Sequence, residues 1–173
     1  MLDISKALEI EGWMTEDELL WLAEQAGERS TIAEVGSYRG RSTRALAEHT
    51  PGTIIAIDTW EGSNDFTPEQ KAGLLEDFKK NMSGLDNVTP LKMASLEAAA
   101  ALRDRQFDMI FIDAEHDYDN VKADIQAWLP RLKRGGLLCG HDFIDCYPGV
   151  LKAVGELVPG FGLAGYSIWY KEF

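Results

Sequence analysis

The residues best suited to chemistry fall in four short blocks. The first is Glu34-Val35-Gly36-Ser37-Tyr38-Arg39-Gly40-Arg41-Ser42-Thr43, entered from the apolar run Thr31-Ile32-Ala33. Glycine lacks the Cβ that would hold a ligand off the backbone, and it tolerates positive φ, so Gly36 and Gly40 mark a turn built for close approach. The second block, Ile57-Asp58-Thr59-Trp60, ends the next apolar run on a carboxylate. Asp58 can accept charge-assisted hydrogen bonds from both hydroxyls of a ribose. Trp60 is a candidate to pack against a base or a pocket wall. Paired carboxylates after neighbouring strands suit a cofactor that carries adenosine. The third block holds Asp113 and His116, and the fourth holds His141-Asp142.

Phosphate-binding turns fit the first block poorly. A dinucleotide turn reads GxGxxG, and here Tyr38 takes the place of its second glycine. A P-loop needs Gly-Lys-Ser/Thr, and Gly40-Arg41-Ser42 departs from it. The spacing therefore favours a cofactor without phosphate.

The elements that must carry these blocks follow from periodicity. Thr15 and Glu18 stand at capping-box spacing ahead of an apolar stripe, predicting a helix over 15–26. Short β-branched or apolar runs predict strands at 31–35, 53–57, 88–91, 107–112 and 137–140, the last after a turn at Gly135-Gly136. Helices are expected at 41–49, 68–82, 96–102, 118–129 and 149–157, with a loop at 59–67. Residues 161–173 read as one or two closing strands. Alternating strands and helices predict a Rossmann-like, doubly wound α/β fold: a mostly parallel sheet of six to seven strands with helices on both faces. Residues 1–173 are expected to form one domain, with 1–28 as a helical extension packed on it. In such sheets ligands bind beyond the carboxyl ends of the strands, where Glu34, Asp58, Asp113, His141 and Asp142 all fall.

Composition narrows the partners. The chain has 173 residues and a net charge of −12, which disfavours nucleic acid and anionic membranes. No run approaches the length of a membrane span, and residues 1–30 are acidic and amphipathic, unlike a signal peptide. Cys139 and Cys146 form no CxxC or Cys/His zinc spacing, and a reducing cytoplasm is expected.

The blocks Glu-x-Gly-x-x-x-Gly-x-Ser-Thr, Ile-Asp-Thr-Trp, Phe-Ile-Asp-Ala-Glu-His-Asp-Tyr and Gly-Gly-x-x-x-Gly-His-Asp-Phe, in this order, resemble the class I S-adenosylmethionine (SAM)-dependent methyltransferases. The likeness is greatest to a small bacterial methyltransferase-domain group that also resembles macrocin-type and catechol-type O-methyltransferases. The resemblance implies that Glu34 and the turn Gly36, Ser37, Tyr38, Gly40 and Ser42 hold the amino acid part of SAM. It places Asp58, followed by Thr59 and Trp60, at the ribose, Ala94-Ser95 at the adenine edge, and Asp113 beside the methionine and the acceptor. In the catechol type, magnesium sits on the residues matching Asp113 and an Asp-Asn pair. Here that pair is His141-Asp142, so Asp113 and Asp142 are the candidate ligands, and a nitrogen donor favours a softer divalent ion, or none.

His116 stands three residues after Asp113, where the catechol type has a catalytic lysine. It can act as a base or orient its neighbours. Asp113 and His141 complete the candidate catalytic set. The implied reaction is methylation of a small-molecule acceptor at oxygen, with Trp13, Trp60, Phe66, Phe143 and Tyr147 as candidate pocket walls. A homodimer is the assembly considered. Rival readings are a hydroxylase-like enzyme on the same fold, a SAM-binding partner protein, and a nicotinamide enzyme, the last opposed by the missing middle glycine.

Overall fold

The structure is a computed structural model that describes residues 2–62 and 67–173. Phe66, one candidate for the pocket wall, lies outside the described residues, as do loop positions 63–65.

Two short N-terminal helices, α1 (Ser5–Leu8) and α2 (Glu16–Ala26), precede the sheet. Then come β1 (Thr31–Val35), α3 (Arg41–His49), β2 (Thr53–Asp58), α4 (Pro68–Lys71), α5 (Leu74–Asn81), β3 (Val88–Lys92) and α6 (Ser95–Ala101). The second half runs through β4 (Phe107–Ile112), α7 (Tyr118–Trp128), β5 (Leu132–Gly140), α8 (Pro148–Leu157), β6 (Gly162–Ala164) and β7 (Ile168–Glu172). The seven strands stand in the order β3-β2-β1-β4-β5-β7-β6. β1 to β5 pair in parallel, while β7 is antiparallel to both β5 and β6. The expected doubly wound α/β fold is present.

Strand parity decides what each residue meets. Ala33, Val35, Ile55, Ile57, Ile110, Ile112 and Leu138 point to one face, where Val121, Ile125 and Val154 of α7 and α8 cover them. Ile32, Ile54, Met109, Phe111 and Cys139 point to the other, under Leu19 and Leu22 of α2 and Leu46 of α3. The period of two therefore places Glu34 on the same face as Ile32, beneath α3. Burial on both faces explains why these strands read as nearly continuous apolar runs.

Three expectations change. The helix predicted over 68–82 is two helices, parted at Gly73, whose φ of +72° leaves the helical region. Gly135-Gly136 does not turn the chain ahead of a strand: β5 already starts at Leu132, and the glycines lie inside it where its register with β4 shifts. The 118–129 helix ends at Trp128, and Pro130 sits in a single 3₁₀ turn. The first helix, α1, lies within the helical extension expected over 1–28, and its four residues are too few to show a period.

The chain passes from β1 outward to β3, then returns to β4 on the other side of β1. This reversal is the switch point at which crevices open in doubly wound sheets. Gly36 follows β1 there, and Asp113 follows β4. The Asp113 amide donates to the Val35 carbonyl at 2.7 Å.

Candidate active site

Two groups of side chains meet at this switch point. The first is the turn after β1. Gly36, Tyr38 and Gly40 have φ values of +90°, +45° and +89°. A Cβ on Gly36 would lie 1.9 Å from the Asp113 carbonyl oxygen, so only glycine lets the turn and the end of β4 touch. Asp58 holds the turn in this shape. Its Oδ2 accepts the backbone N–H of Ser37 at 2.9 Å and of Tyr38 at 2.8 Å, and its Oδ1 accepts Trp60 N–H at 2.7 Å. A carboxylate has about four acceptor positions. Three are filled, which leaves room for one further donor.

Glu34 braces the same turn from below. It is fully buried, and its carboxylate accepts hydroxyl hydrogen bonds from Ser37 (2.8 Å), Ser42 (2.6 Å) and Thr43. Burial raises its pKa against these three donors. Glu34 and Ser42 thus face each other inside the fold, beneath the turn. Trp60 is also placed inside. It is 4% exposed, its ring packs 5.0 Å from that of Phe78, and its indole N–H donates to the Tyr38 carbonyl. Its ring belongs to a small core beneath the turn. Thr59 caps the following residues through Glu61 N–H.

The N-terminal segment closes one side of the turn. Arg41 donates to the carbonyls of Leu8, Ile10 and Met14, clipping residues 8–14 onto the start of α3. Met14 is buried there, while Trp13 is 66% exposed with its ring 5.1 Å from that of Tyr38. At the β3 end, Ala94 is exposed as the residue before α6. Ser95 turns its hydroxyl inward, donating to Asp124 and accepting the Trp128 indole N–H at 2.9 Å. Burial lifts the pKa of Asp124 to about 6.

The second group is charged. His116 Nε2 lies 2.9 Å from Asp142 Oδ2, and its ring stacks on Tyr147 at 4.3 Å. His141 Nδ1 lies 3.2 Å from Asp142 Oδ1 and 3.7 Å from Asp113 Oδ1. The other ring nitrogen of His141 faces Glu18 Oε1 at 3.3 Å. Burial opposes charge on His141, but Asp113, Asp142 and Glu18 together lift its pKa to about 11. Asp142 is driven well below the usual carboxylate range: both histidines outweigh its burial. His116 is raised by its bond to Asp142. Asp113 goes the other way. Burial, helped by the charges of Asp142 and Glu34, outweighs both histidines and lifts it to about 7.

One oxygen each of Asp113 and Asp142 and one nitrogen of His141 lie within 4.8 Å of one another. Such spacing fits ligands around one divalent ion at bond lengths of roughly 2.0–2.2 Å. Glu18 on the second ring nitrogen is the outer partner that metal-bound histidines commonly have.

Glu18 is the site residue that sequence reasoning missed. Its spacing from Thr15 announced a helix cap, which the structure confirms. Nothing local announced that the same carboxylate spans to Ser167 and His141. Phe143 packs on Phe161 at 4.8 Å, and Tyr147 serves His116, so both are committed to neighbours.

Comparison with known proteins agrees with this fold. A family model described as a methyltransferase domain matches residues 33–143, from within β1 to just past Asp142. An uncharacterized protein of Acanthamoeba polyphaga mimivirus is 28% identical over 153 residues, 82% of this chain. The chain spans 65% of that protein's length and 14% of another curated relative's. Among solved structures, a candidate O-methyltransferase from Klebsiella pneumoniae superposes with a TM-score of 0.74 at 18% identity, over 96% of this chain and 87% of that one. The Bacillus cereus O-methyltransferase in complex with SAH gives 0.67 at 16% identity, over 96% and 88%. At these identities the structural likeness speaks for the fold, that of class I methyltransferases. The family model covers more than half of the chain, and the protein belongs to the methyltransferase-domain family.

Proposed function

We propose that this protein transfers a methyl group from SAM to a hydroxyl oxygen of a small-molecule acceptor. The observation that carries the reading is the contact at the switch point: a glycine turn shaped by Asp58 and Glu34 presses directly on the residue that opens the charged cluster, Asp113. Cofactor side and acceptor side are thereby neighbours. The similar fold from Bacillus cereus, solved with SAH, supports SAM as the cofactor.

The turn fits such a ligand. Glycine at Gly36 and Gly40 lets the turn pack against Asp113 and against Met82 and Phe78, and Asp58 keeps one acceptor position for a ribose hydroxyl. Bound SAM would supply a methyl group on a positively charged sulfonium. The chain's own work is alignment and removal of the acceptor's proton, which methyl transfer chiefly requires. Asp113 is the proposed proton acceptor, because it lies beside the turn, is partly open, and has a pKa of about 7. His116 and His141 carry the positive charge that keeps Asp142 ionised and steadies the acceptor's oxyanion. Asp113 would take the proton of the acceptor hydroxyl as that oxygen accepts the methyl group that bound SAM would supply, with the neutral thioether as the leaving group.

A divalent ion in the cluster would be held by Asp113, His141 and Asp142 and would polarise the acceptor oxygen. Its binding would displace the proton on Nδ1 of His141.

The test is calorimetric titration with SAM and SAH, followed by labelled methyl transfer to a panel of small phenols and sugar hydroxyls. Binding of both ligands and transfer to an oxygen acceptor are expected; failure of either ligand to bind removes the proposal. Rates with chelator and with added zinc or manganese show whether the side chains act alone.

A further inference from the structure

Glu18 lies on the first turn of α2 and is 1% exposed. Its Oε2 completes the helix cap, accepting Thr15 N–H at 2.9 Å and the Thr15 hydroxyl at 2.8 Å. A cap accounts for that oxygen alone. Oε1 points the other way, into the fold. It accepts Ser167 N–H at 2.7 Å and the Ser167 hydroxyl at 2.9 Å, across 149 residues of chain. The turn between β6 and β7 closes on the side chain so tightly that a Cβ on Gly165 would lie 2.5 Å from Glu18 Cγ.

The same Oε1 is the group that meets His141 Nε2, at 3.3 Å. That nitrogen is buried and has no hydrogen bond in line among the described residues. A lone pair on Nε2 would face a carboxylate and be repelled, so the proton belongs on Nε2. With Nε2 so occupied, the ring presents Nδ1 to Asp113 and Asp142.

We infer that Glu18 is a positioning residue for His141: it fixes the proton on Nε2 and the ring orientation that turns Nδ1 toward Asp113 and Asp142, and it ties the β6–β7 turn to the same point. The N-terminal helix is then part of the acceptor side of the site. A capping residue that served only α2 would leave His141 indifferent to its charge. A neighbour that orients a functional histidine through its second nitrogen controls which atom faces the ligand.

The role rests on reading Asp113, His141 and Asp142 as the acceptor side. It is tested on the full chain without cofactor or acceptor, so a missing contact and a failed methyl transfer give separate results. In protein labelled at the histidine ring nitrogens, Glu18→Gln is expected to lose the slowly exchanging Nε2 proton signal of His141 and to shift both ring nitrogens. Ser167→Ala cuts another bond of the same carboxylate and is expected to leave those signals in place. Unchanged His141 signals in E18Q, or equal changes in S167A, overturn the inference. Where E18Q does not fold, His141→Asn reads the contact from the other end. The Glu18 carboxyl carbon resonance shifts in that variant if the contact exists and stays if it does not.

Discussion

Glu34 and Glu18 are both buried glutamates, at 0% and 1% exposure, yet their surroundings drive them in opposite directions. Glu34, in the half proposed to hold the cofactor, accepts hydroxyl hydrogen bonds, and burial raises its pKa. Glu18, in the half proposed to meet the acceptor, is also penalised by burial, but His141 and Thr15 more than offset this and its pKa falls to about 2. Depth does not decide ionisation; the charge of the partners does. The cofactor half is a scaffold of hydroxyls and backbone amides that shapes a turn. The acceptor half is a cluster of compensating charges.

The contact between the halves should be the most sensitive point. Gly36→Ala is expected to cost about 3 kcal/mol or more in denaturant unfolding, from strain at positive φ and the clash with Asp113. Gly84 has a similar φ of +82°, but a Cβ there meets nothing within 4 Å. Gly84→Ala should therefore cost only about 1 kcal/mol. Equal losses would show that backbone strain alone, and not the junction, sets the cost.

The two glutamates sharpen the comparison through pH. The folded pKa of Glu18 lies below its ordinary 4.5, so its stabilisation is present above about pH 4.5 and is lost as pH falls toward 2. The folded pKa of Glu34 is raised, so its contribution is present below 4.5 and lost as pH rises through the shifted value. In unfolding experiments Glu18→Gln should cost on the order of 2–3 kcal/mol at pH 7, discounting a broken buried pair for its partial screening. That cost should shrink toward pH 2. Glu34→Gln should show the reverse slope, costing less at pH 7 than at pH 4. Parallel slopes would erase the distinction between the halves.

Much of this was legible in the sequence because it is local. The four blocks at strand ends and the cap at Thr15 depend on neighbours within a few residues. The glycine turn was readable for the same reason, since Gly36 and Gly40 are required by backbone shape. What stayed hidden depends on folding distant residues together. Trp60 follows Asp58 and could have lined a pocket, but Phe78 and the Tyr38 carbonyl claim it. Ser95 sits at the expected edge, yet Asp124 and Trp128 draw its hydroxyl inward. Glu18 makes two sets of contacts through its two oxygens, and only the local set leaves a pattern in the sequence.

The division of labour between the halves is tested most directly by SAM affinity in two variants, measured by calorimetry. Asp58→Ala removes the carboxylate that shapes the turn, and should weaken SAM binding roughly 10- to 100-fold, about 1.4–2.7 kcal/mol. Asp142→Asn alters the charged cluster and should leave SAM affinity within about twofold of the unaltered protein, a difference under about 0.5 kcal/mol. Undiminished SAM binding in Asp58→Ala, or an equal loss in both variants, would contradict the account.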